Sequence, residues 1–499
     1  MPERMMGRST RLPKLHITNS RFNFSSPDNL TALMTMVSRC TSSFQRHVLL
    51  WGLAVALIAV LLTGCDTLDF EDPNAPQADV VSIQNLATGT EGAMRDELDI
   101  YLQTVAIFGR EGYFFEPADP RYTGELYVGP LDPNGFLVTD PWSGRYRTIR
   151  NANELRDRAA IQRAETPEQF SEDDVLAVEG FAKTIIGYQL LLVLNSTWDN
   201  GLKIEFNDDV NTPVVSRADA FAEIERYLDE GFADLDGVEA FPFTLSSGFD
   251  DGGFGTPDGF RQFNRAVRAR VAAYQGKYGD VLDALDDSFI NPMGDLDRGV
   301  YHVYATGIGE RTNPLFEVPT SSGVKLRAHP SFGTDARPND ERFAEKVLDR
   351  TADANNPENS FSASPSAANG LSSALVVTLF ETSTSPIPIL RNEELLLLRA
   401  EAYTLGTNQD LNAAVADLDV IRMAAGLDPY GGPVTETAVF DELLYNRRYS
   451  LFIEGHRWID VRRFDLLDTL PRDMVNPDNP TPSTIFAQVP IPLDETPEN

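Results

Sequence analysis

The stretch NRRYSLFIEGHRWIDVRRFD, residues 446–465, crowds Glu454, His456, Arg457 and Asp460 into seven residues. An acid, an imidazole and a guanidinium side by side can be catalytic machinery or charges buried in a scaffold. Placed on one helix over 438–464, Leu443, Leu444, Arg447, Leu451, Glu454, Trp458 and Val461 fall at helical spacing. Arg447 and Arg448 then lie within two turns of Glu454, and a Glu there can hold an Arg in a bidentate pair. Gly455 weakens the helix at that point. His456 and Trp458 are left to pack against a neighbouring helix. Catalysis would call for a second acid or a nucleophile at a defined distance. No recognisable spacing supplies one, so the stretch reads as a helix that buries ion pairs.

Upstream, helices are expected over 391–405 and 411–424. RAEAYTLGTNQDLNAAVADL (399–418) shares a plan with RVAAYQGKYGDVLDAL (270–285): alanines and a tyrosine (Tyr403, Tyr274), a glycine turn, an Asp (Asp410, Asp280), then a second helix led by Leu and Ala. Alanines let two helices approach closely, and the tyrosine fills the gap beyond them. This is the logic of a tetratricopeptide-like hairpin, although the two copies are not in tandem. Helical periodicity also runs through 82–108, 142–158, 173–195, 216–235, 260–276 and 280–287, with Ser216 as an N-cap. Between 291 and 384 the chain is rich in Pro, Ser, Asn and Gly, with short β-like pieces such as ALVVTLF (374–380). The fold class expected is mainly α, a scaffold of tetratricopeptide-like hairpins with a loop-rich, partly irregular insertion.

The N-terminus carries a separate signal. Arg46 and His47 precede an uncharged apolar run, Val48 to Leu62, followed by Thr63, Gly64 and Cys65. The run is short for a membrane span, which needs about 20 residues, but it suits a signal-peptide core. L-T-G-C resembles a lipobox, which makes Cys65 the lipidation site. Residues 1–64 are the expected leader, over-long unless translation starts at Met34 or Met36. Residues 65–80 are the expected tether, in which Asp69, Glu71 and Asp72 resemble the export signal of surface lipoproteins.

The 499-residue chain has a formal net charge of −33. Seven basic and two acidic side chains precede Cys65, so that segment is +5 and the remainder −38. So acidic a body repels nucleic acid. Cys40 and Cys65 are the only cysteines, and the five histidines have no HxxH or HExxH spacing. Neither a disulfide framework, a metal site nor a cofactor is expected. Asp250, Asp251 and Asp258 sit in the glycine-rich run 248–259, which reads as a solvated turn rather than a calcium loop.

The C-terminal pattern resembles the SusD/RagB family of nutrient-binding outer-membrane lipoproteins, whose signature runs roughly E-R-R-x-E-L-x-F-E-G-x-R-x-x-D-L-R-R. Phe452, Glu454, Gly455, Arg457, Asp460, Arg462 and Arg463 match it behind Arg447 and Arg448, while Tyr449 and Ser450 stand where an acidic residue is usual. Arg391, Glu394, Arg399, Glu401, Ile421, Arg422, Ala425 and Gly426 resemble the preceding family blocks. Trp142, Tyr146, Asn151 and Asn153 resemble an early one, and VPIPLDE (489–495) the closing one. The resemblance implies one domain over 81–499: an N-terminal helical part (81–290), the insertion (291–385) and the signature region (386–499), together a SusD-like α-α superhelix.

It implies further that the chain is not an enzyme. It would be anchored by lipid at the outer membrane, facing outward, and would capture an oligosaccharide or a peptide for a SusC-like TonB-dependent transporter. Loop aromatics would meet the ligand: Tyr113, Phe114, Phe115, Tyr122 and Tyr127 in one Gly- and Pro-rich loop, and Trp198 just past a helix. Arg447, Arg448, Phe452, Glu454, Gly455, Arg457, Asp460 and Arg462 are expected to be structural. Two other readings stay open on the residues alone: a secreted glycoside hydrolase with two carboxylates across a cleft, and a helical-repeat adaptor that binds only proteins.

Overall fold

The computed structural model describes residues 81–206, 212–321, 323–350 and 369–496. The expected leader, the lipobox with Cys65 and the tether lie outside them. The described residues all belong to one compact unit, Gln77–Asn499.

Most of the chain is helical. The longer helices are α1 (Ile83–Ala93), α2 (Leu98–Phe108), α3 (Phe136–Glu165), α4 (Glu172–Thr197), α5 (Arg217–Asp234), α6 (Pro257–Tyr274), α7 (Tyr278–Asp286), α8 (Asn392–Leu405), α9 (Leu411–Ala424), α10 (Glu436–Ser450) and α11 (Arg457–Arg463). Their starts are written in the sequence. Ser82, Ser216, Asp410 and Thr435 each accept an N–H of the first turn, and Ser171 with Asp174 forms a reciprocal capping box. Thr256 caps α6, with Pro257 at its first position, where a missing N–H costs nothing. Helix α3 begins six residues before the expected start and carries Pro141 inside it.

Sequential helices pack as hairpins, and each hairpin packs on the next: α3 on α4, α4 on α5, α5 on α6, α6 on α7, α7 on α8, α8 on α9 and α10. Helices α4 and α5 meet at glycines. A Cβ on Gly180 would lie 2.9 Å from the Gly231 carbonyl oxygen and 2.3 Å from Leu235 Cγ, so only glycine permits the approach. Helix α4 belongs to a 29-residue stretch apolar enough to cross a membrane, but it is mostly buried within this helical stack. The two tetratricopeptide-like hairpins, α6–α7 and α8–α9, are present and adjacent through the α7–α8 contact.

The insertion is strand-bearing. Strands β1 (Gly112–Phe114), β3 (Leu326–Ala328), β5 (Leu375–Val377) and β4 (Val347–Asp349) form a four-stranded antiparallel sheet in that order. Phe114 pairs with Leu326, Arg327 with Val376 and Val347 with Val377. A separate ribbon joins β2 (Gly299–His302) to β6 (Ile387–Arg391), with a register shift between Val300 and Tyr301. Strand β6 leads directly into α8. A two-residue pair, β7 (Met474–Val475) with β8 (Thr481–Pro482), closes the C-terminal part.

Two expectations are corrected here. Helix 82–108 is broken: Glu97 adopts a left-handed conformation (φ 53°) between α1 and α2. The helix expected over 438–464 is also two helices, separated by a turn in which Ile453 (φ 59°) and Gly455 (φ 87°) are left-handed. The turn folds α11 back towards α10, and that return brings the signature charges together.

Candidate ligand-binding site

The signature residues form a sealed hub. Arg447 on α10 grips Asp460 on α11 bidentately (Nε–Oδ2 2.7 Å, Nη2–Oδ1 3.0 Å). Arg463 reaches the same Asp460 (Nη2–Oδ1 2.9 Å) and Glu401 of α8 (Nη2–Oε2 2.6 Å). Burial pushes the Asp460 carboxyl up, but Arg447 and Arg463 outweigh it and hold it at about 2. Glu454 pairs with Arg391, at the end of β6, rather than with Arg447 or Arg448 (Arg391 Nη2–Oε1 2.8 Å). Arg448 instead donates to Asp335 and Ser331, each at 2.8 Å. Glu394 takes Arg270 of α6 bidentately (2.6 and 2.5 Å). At the position where an acid is usual, the Ser450 hydroxyl accepts from Arg342, whose own acid is the neighbouring Asp340 (2.9 and 2.6 Å).

Aromatic packing completes the hub. Phe452 stacks on Phe332 at 3.9 Å between ring centres, and Trp458 sits edge-on to Phe108 at 5.0 Å. The Trp458 indole N–H donates to the Phe486 carbonyl (2.8 Å). His456 accepts or donates at Nδ1 to the Tyr274 hydroxyl (3.1 Å), and burial drives its pKa down to about 4, so it is neutral at pH 7. Burial raises the Glu111 carboxyl to about 8 against an N–H bond from Ile453 (3.3 Å) and the Arg457 charge. Its side chain is fully enclosed, so no substrate can meet it. The hub is a joint between helices.

The loop aromatics expected to meet ligand are in the core. Tyr113 and Phe115 are 2% and 1% exposed, Tyr127 0%, and Phe114, Tyr122 and Trp198 9% each. Pairing of β1 with β3 pulls the segment inward. Tyr113 then packs on Tyr127 and His329 (5.5 and 5.3 Å), and Phe114 on Tyr122 (4.7 Å). The Arg110 guanidinium covers Tyr127, and Arg327 covers Phe115. Trp198 has two guanidiniums over its ring, Arg462 at 4.1 Å and Arg217 at 4.4 Å.

Two clefts open to solvent, one on either side of the β2–β6 ribbon. One cleft of about 650 Å³ is walled by Tyr301, Arg342, Lys346, Arg391, Glu393 and Glu454, with Asp297, Glu345 and Glu381 at its exposed margin. Its cations are committed: Arg342 and Arg391 as above, and Lys346 to the Tyr449 and Ser450 carbonyls (2.8 and 2.6 Å). The other, of about 420 Å³, lies between α1, residues 244–249 and residues 301–305. Both volumes fall in the range of ligand sites, roughly 300–1,000 Å³.

The smaller cleft is built from polar groups held in place by the backbone opposite. Gln84 exchanges two bonds with Thr244 (Nε2 to the carbonyl, 3.0 Å; Oε1 from N–H, 2.8 Å). Glu91 accepts from the Ser246 hydroxyl (2.6 Å), and burial raises its carboxyl above the ordinary range in spite of those bonds. Arg95 donates to the Val303 carbonyl and lies 5.8 Å from the centre of the Tyr304 ring. His302 Nε2 and the Tyr304 hydroxyl, both buried, have no hydrogen-bond partner among the described residues. Such a group costs about 1–3 kcal/mol. Burial, with Arg145 and Arg95, drives the His302 pKa down to about 3. Sequence reasoning missed these residues. The signal available was Y-H-V-Y (301–304), two tyrosines three apart at the edge of the insertion.

The described residues thus form hairpin-built helical walls around a charge-paired joint, with clefts beside a ribbon. Residues 373–487 match the family model described as the SusD family. Its fold is similar to that of a SusD superfamily protein from Bacteroides vulgatus ATCC 8482 (TM-score 0.54, 17% identity, 75% of this chain and 89% of that one). It is also similar to a laminarin-binding SusD-like protein (0.54, 17%, 82% and 96%). A third likeness is to surface glycan-binding protein A from Bacteroides thetaiotaomicron in complex with laminarihexaose (0.60, 14%, 78% and 91%). No curated protein matches the chain.

Proposed function

We propose that this protein is a non-enzymatic glycan-binding lipoprotein of the outer membrane. It is anchored through Cys65, faces outward and delivers oligosaccharide to a SusC-like TonB-dependent transporter. The observation that carries the reading is the division of labour within the SusD-type fold: the signature acids are locked in ion pairs, while polar clefts open beside the ribbon. Glycan binding by proteins of the same fold supports the ligand class. The lipobox sequence supports the anchor, and the acidic tether supports the outward address.

The test is incubation of the purified protein with soluble neutral polysaccharides, following both binding and chain length. Binding without shortening is expected. Release of shorter sugars would favour the hydrolase reading. Failure to bind any glycan, with stable capture of a barrel, would favour the adaptor reading. Cys65→Ala is expected to move the protein from the membrane fraction to the soluble one; unchanged membrane retention would remove the anchor.

A further inference from the structure

We propose that the cleft between α1 and the Tyr301–Tyr304 segment is the sugar subsite of this protein, and that it selects uncharged oligosaccharides over uronate or sulfated ones. The inference rests on the glycan-binding reading above and adds the place and the ligand class.

Shape comes first. The cleft is concave, about 420 Å³, and walled by two tyrosines beside hydroxyl, amide, carboxylate and guanidinium groups. A sugar offers apolar C–H faces to a ring and a belt of hydroxyls that both donate and accept. Glu91 can accept such hydroxyls and Arg95 can donate to them. Behind the wall, His302 Nε2 and the Tyr304 hydroxyl are buried polar atoms with no partner among the described residues. A wall of carboxylate, guanidinium, amide and hydroxyl groups favours a ligand rich in hydroxyls over an apolar one.

Charge sets the class. The cleft holds one cation, Arg95, against two carboxylates, Glu91 and Glu310, and its histidine is neutral at pH 7. The chain from Cys65 onward carries −38. An anionic glycan would enter against that field with a single guanidinium in its favour, and Arg95 is already engaged with the Val303 carbonyl. The larger cleft on the other side of Tyr301 is the rival. Its three cations are committed to the scaffold, and its exposed margin carries Asp297, Glu345 and Glu381, which can also accept sugar hydroxyls, so variants in both clefts decide between them.

The experiment measures dissociation constants of the purified protein for laminarihexaose, cellohexaose, maltohexaose and mannohexaose, with hexagalacturonate as the anionic probe. At least one neutral hexasaccharide is expected to bind, and hexagalacturonate about tenfold more weakly or not at all. Gly92→Phe plugs the cleft without disturbing the fold, because a Cβ there meets nothing closer than Arg95 Nη2 at 3.8 Å. It should weaken neutral binding about tenfold or more, as should Tyr304→Phe, both with an unchanged melting temperature. Glu381→Gln, in the rival cleft, should leave binding unchanged. If neutral sugars bind and neither cleft variant weakens them, or Glu381→Gln does, the site is wrong while the glycan reading stands. If hexagalacturonate binds tighter, the class is wrong. If no glycan binds, the glycan reading itself falls.

Discussion

The signature hub and the cleft wall are both dense in charges and rings, yet they differ in one respect. In the hub each of Arg447, Arg463, Arg391 and Arg270 meets a carboxylate from a different helix or strand. In the cleft wall Gln84 and Arg95 are bonded to backbone and Glu91 to Ser246, while His302 Nε2 and the Tyr304 hydroxyl have no partner among the described residues. Density of charge marks neither structure nor function. What separates them is the pairing of charge: guanidinium and carboxylate meet across elements in the hub, whereas Arg95 in the cleft wall donates to a carbonyl beside open space.

The harshest way to break this contrast is to remove one partner at the centre of the hub. Asp460→Ala leaves Arg447 and Arg463 buried without their shared acid, and breaking a buried pair costs about 3–5 kcal/mol. Chemical unfolding should show a loss of that order. A loss under about 1 kcal/mol would mean that the pair is solvated and the hub no joint. The same pair sets an acid limit. The folded pKa of Asp460, about 2, lies below its unfolded value near 3.8, so its contribution is complete above pH 4 and fades as the pH falls towards 2.

Next in size is the turn that returns α11 to α10. Gly455 is left-handed at φ 87°, and a Cβ there would lie 3.2 Å from Leu102 Cδ2. Gly455→Ala should cost about 1–2 kcal/mol, read from the same unfolding curves. No loss would place the turn outside the cooperative fold.

The turn also shows where sequence reasoning reached its limit. That the stretch 446–465 buries ion pairs was the expectation, and the hairpins were legible from alanine, tyrosine and glycine order. The partners were not. Glu454 meets Arg391, 63 residues away, because Ile453 and Gly455 turn the chain, and nothing local in Ile453 announces a positive φ. The aromatic loop failed for the same reason. Gly and Pro around 112–127 read as exposed, but β1 pairs with β3 more than two hundred residues later, and that pairing buries Tyr113. Periodicity fixes which face of an element is apolar; it does not fix which distant element covers it.

Glu111 gives a smaller, pH-dependent effect. Its folded pKa of about 8 exceeds the unfolded value near 4.5, so between those values the folded chain holds a proton the unfolded chain has lost. Its contribution therefore falls as pH rises from 4.5 to 8. His302 and His456, with folded values of about 3 and 4, act oppositely, adding stability as pH rises from 4 to 6.5. Glu111→Gln removes only the first slope. Its stability relative to the parent should be level near pH 4.5 and higher by about 1 kcal/mol or more at pH 8. A difference that does not change with pH would mean Glu111 is ionised throughout.

The smallest expected change in stability is at Tyr304. In the hub, removing a polar group strands its partner. At Tyr304 no partner among the described residues is stranded, because the hydroxyl is buried and unpaired there, while the ring keeps its contacts as phenylalanine. Deleting an unsatisfied buried hydroxyl removes a desolvation cost and no hydrogen bond, so Tyr304→Phe should change the unfolding free energy by less than about 0.5 kcal/mol, or raise it. A loss above about 1.5 kcal/mol would show that the hydroxyl is engaged within the protein. Tyr304 would then belong to the scaffold's own bonding, and the distinction between joint and binding surface would fail at that residue.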